Sequence, residues 1–105
     1  MTATPRRTML ENFVARNPQD AFARYGLAME CVGAGELPLA AEHFSQLVAA
    51  NPQYVPAYYH YGQLLARLEQ TEKAREILRT GMDVARKAGD MHALSELEQA
   101  LSDLG

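Results

Sequence analysis

Asn17-Pro18-Gln19 returns as Asn51-Pro52-Gln53, 34 residues further along, and the residues after each copy echo one another along the same shift. Ala23 falls on Ala57, Tyr25 on Tyr59, Ala28 on Gly62, Ala40 on Ala74, Glu42 on Glu76 and Phe44 on Leu78. Self-similarity at a fixed period of this size marks a short supersecondary unit that cannot cover its own apolar face and stacks on a neighbour to do so. A chain built this way is expected to work through an exposed surface rather than through a pocket of reactive groups.

Around the two triplets, turn residues alternate with helical patterns. Thr4-Pro5 reads as an N-cap with proline in the first turn, and Met9, Leu10, Phe13 and Val14 recur at helical spacing, so a first helix runs to about Arg16. Pro18 stops it, because the ring disfavours α geometry in the residue before it. A second helix spans about Gln19 to Gly33 and ends in Gly33-Ala34-Gly35. Pro38 opens a third, closed by Asn51-Pro52; a fourth covers about Tyr54 to Glu69; a fifth, with Thr71 as its N-cap, continues to about Lys87 because Arg86 stands where proline would be. Gly89 stops the fifth helix and Asp90 caps a sixth, whose Leu94, Leu97, Leu101 and Leu104 form one apolar stripe.

Composition narrows the classes. The 105 residues are 48% hydrophobic and 22% charged, which excludes a disordered chain, and the absence of Trp with only 8% aromatics points to aliphatic and alanine packing. A formal charge of -3 offers no long-range attraction to phosphate, so no nucleic-acid partner is expected. Cys31 is alone and makes no internal disulfide, the N-terminal stretch from Met1 lacks an apolar leader, and no segment approaches the ~20 apolar residues of a membrane span. A cytoplasmic protein with no membrane association is the expectation.

The pattern resembles the tetratricopeptide repeat, a 34-residue helix-turn-helix family. Leu27, Ala28, Ala40, Phe44 and Pro52 occupy positions where that repeat favours a large apolar residue, two small ones, an aromatic and proline; Tyr61, Gly62, Ala74, Leu78 and Arg86 answer them in the second copy. Departures are Arg24 where the repeat prefers Trp or Tyr, Glu69 in place of the turn glycine, and Arg86 in place of proline. The resemblance implies an all-α, right-handed superhelical stack of antiparallel helix hairpins with about six helices. Within a single domain over residues 1–105 it implies an N-terminal half-repeat helix at 4–16, repeats at 21–54 and 55–88, and a C-terminal capping helix at 90–104. Ser95 and Glu96 sit at the repeat's usual Leu and Gly positions, a poor fit for that last helix.

In this family the first helix of each repeat lines a concave face that holds a peptide. The matching residues here are Phe22, Tyr25, Met29, Val32 and Gly33, then Pro56, Tyr59, Gln63, Ala66 and Arg67. Of these, Phe22, Tyr25, Met29, Val32, Tyr59, Gln63 and Arg67 make a largely apolar, aromatic set with one cation, suited to a peptide of another protein. The Lys and Asn with which chaperone-binding members clamp a carboxylate are replaced by Tyr25, Met29, Tyr59 and Gln63.

No catalytic constellation is visible. His43, His60 and His92 fall on three different helices, and there is no metal-ligand spacing or glycine-rich phosphate loop. Cys31 lies on an inward face as a small hydrophobe, and Glu96 and Glu98 belong to a solvated face. The expectation is therefore a non-enzymatic adaptor without cofactor or metal. The alternative is a self-associating module, a homodimer through the groove or the last helix, since two full repeats are fewer than the three or so a stable array needs.

Overall fold

The computed structural model describes residues 4–105; Met1, Thr2 and Ala3, where the stretch read as lacking a leader begins, lie outside the described residues. Six α-helices follow one another: α1 Pro5–Arg16, α2 Ala21–Gly33, α3 Leu37–Ala50, α4 Val55–Arg67, α5 Thr71–Ala88 and α6 Met91–Asp103. No strand occurs among the described residues, so the all-α class expected from the period is the class observed. The helices group into two units, Met1–Asn51 and Pro52–Gly105.

Local chemistry sets the limits of each helix. Thr4 accepts the Arg7 N–H at 3.0 Å and caps α1. Asp20 accepts the Ala23 N–H at 2.8 Å, which starts α2 two residues later than Gln19, the start expected from periodicity. Asp90 caps α6 in the same way, as expected. Thr71 does not cap α5: it is already helical, and Gln70 holds the cap position without a side-chain bond. Asn17 and Asn51, each before a proline, end α1 and α3 with matching bonds of 2.8 Å to the carbonyls of Phe13 and Leu47. Without that proline α5 runs for 18 residues, against 14 in α3.

The helices α2, α4 and α5 share one ending. Glu36, Gln70 and Asp90 each return their N–H to a carbonyl five residues back (Cys31, Leu65 and Ala85) at 2.9 Å. That closure requires a left-handed residue just before the donor. Gly35 (φ +78°) and Gly89 (φ +71°) supply it without strain, whereas Glu69 supplies it at φ +62° with a side chain attached.

In the first unit α2 packs on α3, and α1 on α2; in the second α4 packs on α5, and α6 on both. The small residues foreseen at the hairpin contacts are where close approach requires them. Ala28, Ala40 and Ala74 are buried, and a Cβ on Gly62 would run into the Leu78 side chain. Phe44 and Leu78 are buried large residues on the second helix of each hairpin, Leu47 joins Phe44 on α3, and Cys31 is buried as expected of a small hydrophobe. Of the α6 leucines, Leu97 is buried and Leu94, Leu101 and Leu104 are half-buried.

Candidate functional site

On α2, Phe22, Tyr25, Met29 and Val32 follow one another at steps of three or four residues and therefore share a face. Phe22 is 77% exposed, while the other three are half-buried. Tyr25 is held by the core: its ring meets that of Phe44 edge-on, centroids 6.4 Å apart at 66°. The C-terminal end of α2 and the turn after it are tied to α1. Arg7 donates to both carboxylate oxygens of Glu36, at 2.5 and 2.9 Å, and to Glu11 at 3.3 Å. This fork raises the Arg7 pKa above its already high ordinary value and lowers that of Glu36, so both stay charged across the physiological range. Arg6 adds a contact to Glu30 at 3.2 Å. No sequence signal marks Arg7 for this role, because its partner is 29 residues away.

On α4, Tyr59, Gln63 and Arg67 again share a face, with Gln63 Nε2 donating to the Tyr59 hydroxyl at 2.9 Å. Here the structure adds what sequence reasoning missed. Helix α6, expected as a cap or as a homodimer face, lies beside α4 and supplies the other wall of an open trough. The trough is a row of adjoining recesses of about 270, 280 and 400 Å³, running from Pro56 and Asp90 past Tyr59 and Glu96 to Arg67 and Asp103. Its lining is more polar than the α4 residues alone suggest, because His92, Glu96, Gln99 and Asp103 come from α6. A signal for this existed: those four residues recur at helical spacing on the side of α6 away from the leucine stripe.

Of the three histidines, His60 and His92 border one recess of the trough. His43 Nδ1 lies 3.1 Å from the Arg24 guanidinium, and burial, then the Arg24 charge, push its pKa down, so the ring is neutral and Nδ1 accepts. His60 stands edge-on to Tyr59 with centroids 5.3 Å apart, its pKa lowered by burial. His92 is exposed, 3.7 Å from Glu96. Burial raises the pKa of the Cys31 thiol, which makes it a poor nucleophile. Among the described residues no group of three or more His, Cys, Asp or Glu is placed to hold a metal, and no helix is long and apolar enough to cross a membrane.

Helix hairpins at a 34-residue period, each presenting the face of its first helix, define a helical-repeat interaction protein. Residues 32–101 match the tetratricopeptide repeat family, as do residues 7–55, and the chain belongs to that family. A TPR repeat-containing protein of Pseudomonas aeruginosa is 28% identical over 95 residues, 90% of each chain. The crystal structure of a tetratricopeptide repeat domain protein from Salinibacter ruber is 39% identical, covers 81% of this chain and 94% of that one, and has a TM-score of 0.78. The TPR2B domain of yeast Sti1, in a complex with pHsp70, superposes with a TM-score of 0.87 over 93% of this chain and 78% of that one; at 16% identity the likeness is one of fold. This chain is a protein–protein interaction module.

Proposed function

We propose that the chain is an adaptor that holds a peptide segment of another protein against the first helix of each repeat: Phe22, Tyr25, Met29 and Val32 on α2, and Tyr59, Gln63 and Arg67 on α4. The observation that carries this reading is the exposure of Phe22, 77% open beside half-buried Tyr25, Met29 and Val32. A large aromatic left in water at the head of an apolar strip gains most from being covered by a partner. The ligand of the yeast structure does not transfer, because the clamp positions here hold Tyr and Met on α2 and Tyr and Gln on α4.

Selection from a random linear peptide library on the immobilised chain, followed by fluorescence anisotropy with the selected peptides, tests the proposal. Truncation to alanine at Phe22 and at Tyr59 should each weaken binding about tenfold or more while helicity is unchanged. Failure to select any peptide, or full affinity in both variants, overturns it. Light scattering on the same samples separates peptide capture from burial of the strip by a second copy.

A further inference from the structure

The trough between α4 and α6 carries a charge pattern that the repeat pattern does not explain. Its floor is apolar, with Leu97 and Ala100 at the base and Tyr59 on the α4 wall. Its rim holds three carboxylates, Asp90, Glu96 and Asp103, against one cation, Arg67, at the far end. None of the three is neutralised by a Lys or Arg among the described residues. Asp90 accepts the Ala93 N–H, Asp103 accepts the Gln99 amide at 2.9 Å, and the basic groups near Glu96 are two imidazoles, His92 at 3.7 Å and His60 across the recess. Arg67 and Asp103 border the same recess yet make no ion pair. An apolar floor beneath unpaired carboxylates attracts cations on an otherwise apolar ligand, because each new pair forms beside low-dielectric surface instead of in open water.

We infer that this trough selects a basic segment, a peptide in the polyproline II conformation carrying Lys or Arg at about every third residue. The inference rests on the peptide-binding reading above and names the partner's chemistry. The spacing follows from geometry. Asp90 at the N-cap of α6 and Glu96 and Asp103 within it are six and seven residues apart, about 9 and 10 Å at the helical rise, which a polyproline II chain crosses in about one three-residue turn, bringing every third side chain back to the same face. The ligand's apolar side chains lie on the half-buried Tyr59, Ala66 and Leu104, and the Gln63 amide oxygen accepts from its backbone. Arg67 closes the end near Asp103 and is the place for a carboxylate or carbonyl of the same segment.

The test uses three eight-residue peptides, acetylated and amidated, with Ala and Leu in common and Lys, Gln or Glu at every third position. Binding to the full chain is read by calorimetry at low and at physiological salt. Exposed ion pairs are each worth about two- to fivefold, so three together should set the Lys peptide about ten- to a hundredfold tighter than the Glu peptide, with the gap shrinking as salt rises. Glu96→Gln combined with Asp103→Asn should erase most of that gap. Glu42→Gln combined with Glu76→Gln, which removes the same charge elsewhere, should leave it intact, and circular dichroism checks that both variants stay helical. Equal or tighter binding of the Glu peptide overturns the inference, as does an equal effect of the two double variants. If none of the three peptides binds while a library-selected peptide does, the inference falls and the adaptor reading stands; if no peptide of any kind binds, both fall.

Discussion

Where the two repeats differ most, α2 carries Arg24 and α4 carries Tyr58, 34 residues apart. Tyr58 is only 2% exposed and donates its hydroxyl to the Pro52 carbonyl at 2.6 Å. Arg24 reaches the equivalent carbonyl, that of Pro18, at 3.5 Å, and sets its guanidinium against His43. On the second helix of each hairpin the bulk is reversed. Gly81 lies so close to Tyr58 that a Cβ there would come within 2.5 Å of the Tyr58 Cβ, whereas its counterpart Leu47 is fully buried. The repeat therefore preserves filled volume and a polar contact to the proline carbonyl, not residue identity. This is how a chain can depart from the family's Trp or Tyr preference and keep the hairpin.

The sharpest way to break this comparison is to put the first repeat's residue into the second. Gly81→Leu should destabilise by about 1–3 kcal/mol through overpacking against Tyr58 and Leu97. Adding Tyr58→Arg to it should cost less than the sum of the two single changes, measured by urea denaturation of all four members of the cycle. Additive losses would show that the two positions do not share volume.

The turns offer a smaller contrast of opposite sign. Glu69→Gly should stabilise by about 0.5–1 kcal/mol, since a left-handed residue with a Cβ is relieved, and Gly35→Ala should destabilise by a similar amount. Thermal melts that show the same sign for both would refute the strain at Glu69.

The smallest effect separates the repeats by pH. His43 and His60 both have pKa values below the ordinary 6.5, burial being the leading cause in each. The native state therefore favours the neutral rings. Their contribution to stability is complete above pH 6.5 and is lost as pH falls through the lower folded values. Around His43 the Arg24 and Arg7 charges oppose protonation while Glu42 and Glu11 favour it; around His60, Glu96 favours it. Melting temperature should thus fall between about pH 7 and pH 5, and His43→Asn should flatten that slope more than His60→Asn, because Arg24 adds to burial only at His43. An equal effect would show that burial alone sets both.

Much of the fold was legible because its signals are local. Pro18 and Pro52 end helices through the backbone of the residue before them, Gly35 and Gly89 close them through a positive φ, and the recurring small residues mark hairpin contacts within a window of 34 residues. The errors were of the same short range: α2 starts at Ala21, capped by Asp20, and not at Gln19, and Thr71 lies inside α5. The candidate site was legible only in part. The resemblance to the repeat family named the faces of α2 and α4, but not that Phe22 stands open while Tyr25 leans on Phe44. It also left Glu96 with no role beyond a solvated face.

The sequence by itself determined six helices, their order, most of their ends and the hairpin repeat, since each depends on turn chemistry and apolar spacing over a few residues. Only the tertiary structure decided that α6 lies along α4, so that Asp103 borders the same recess as Arg67, and that Arg7 reaches across to Glu36. Those contacts join residues 29 to 36 positions apart. They arise from how buried apolar faces pack together, which helical periodicity constrains but does not specify.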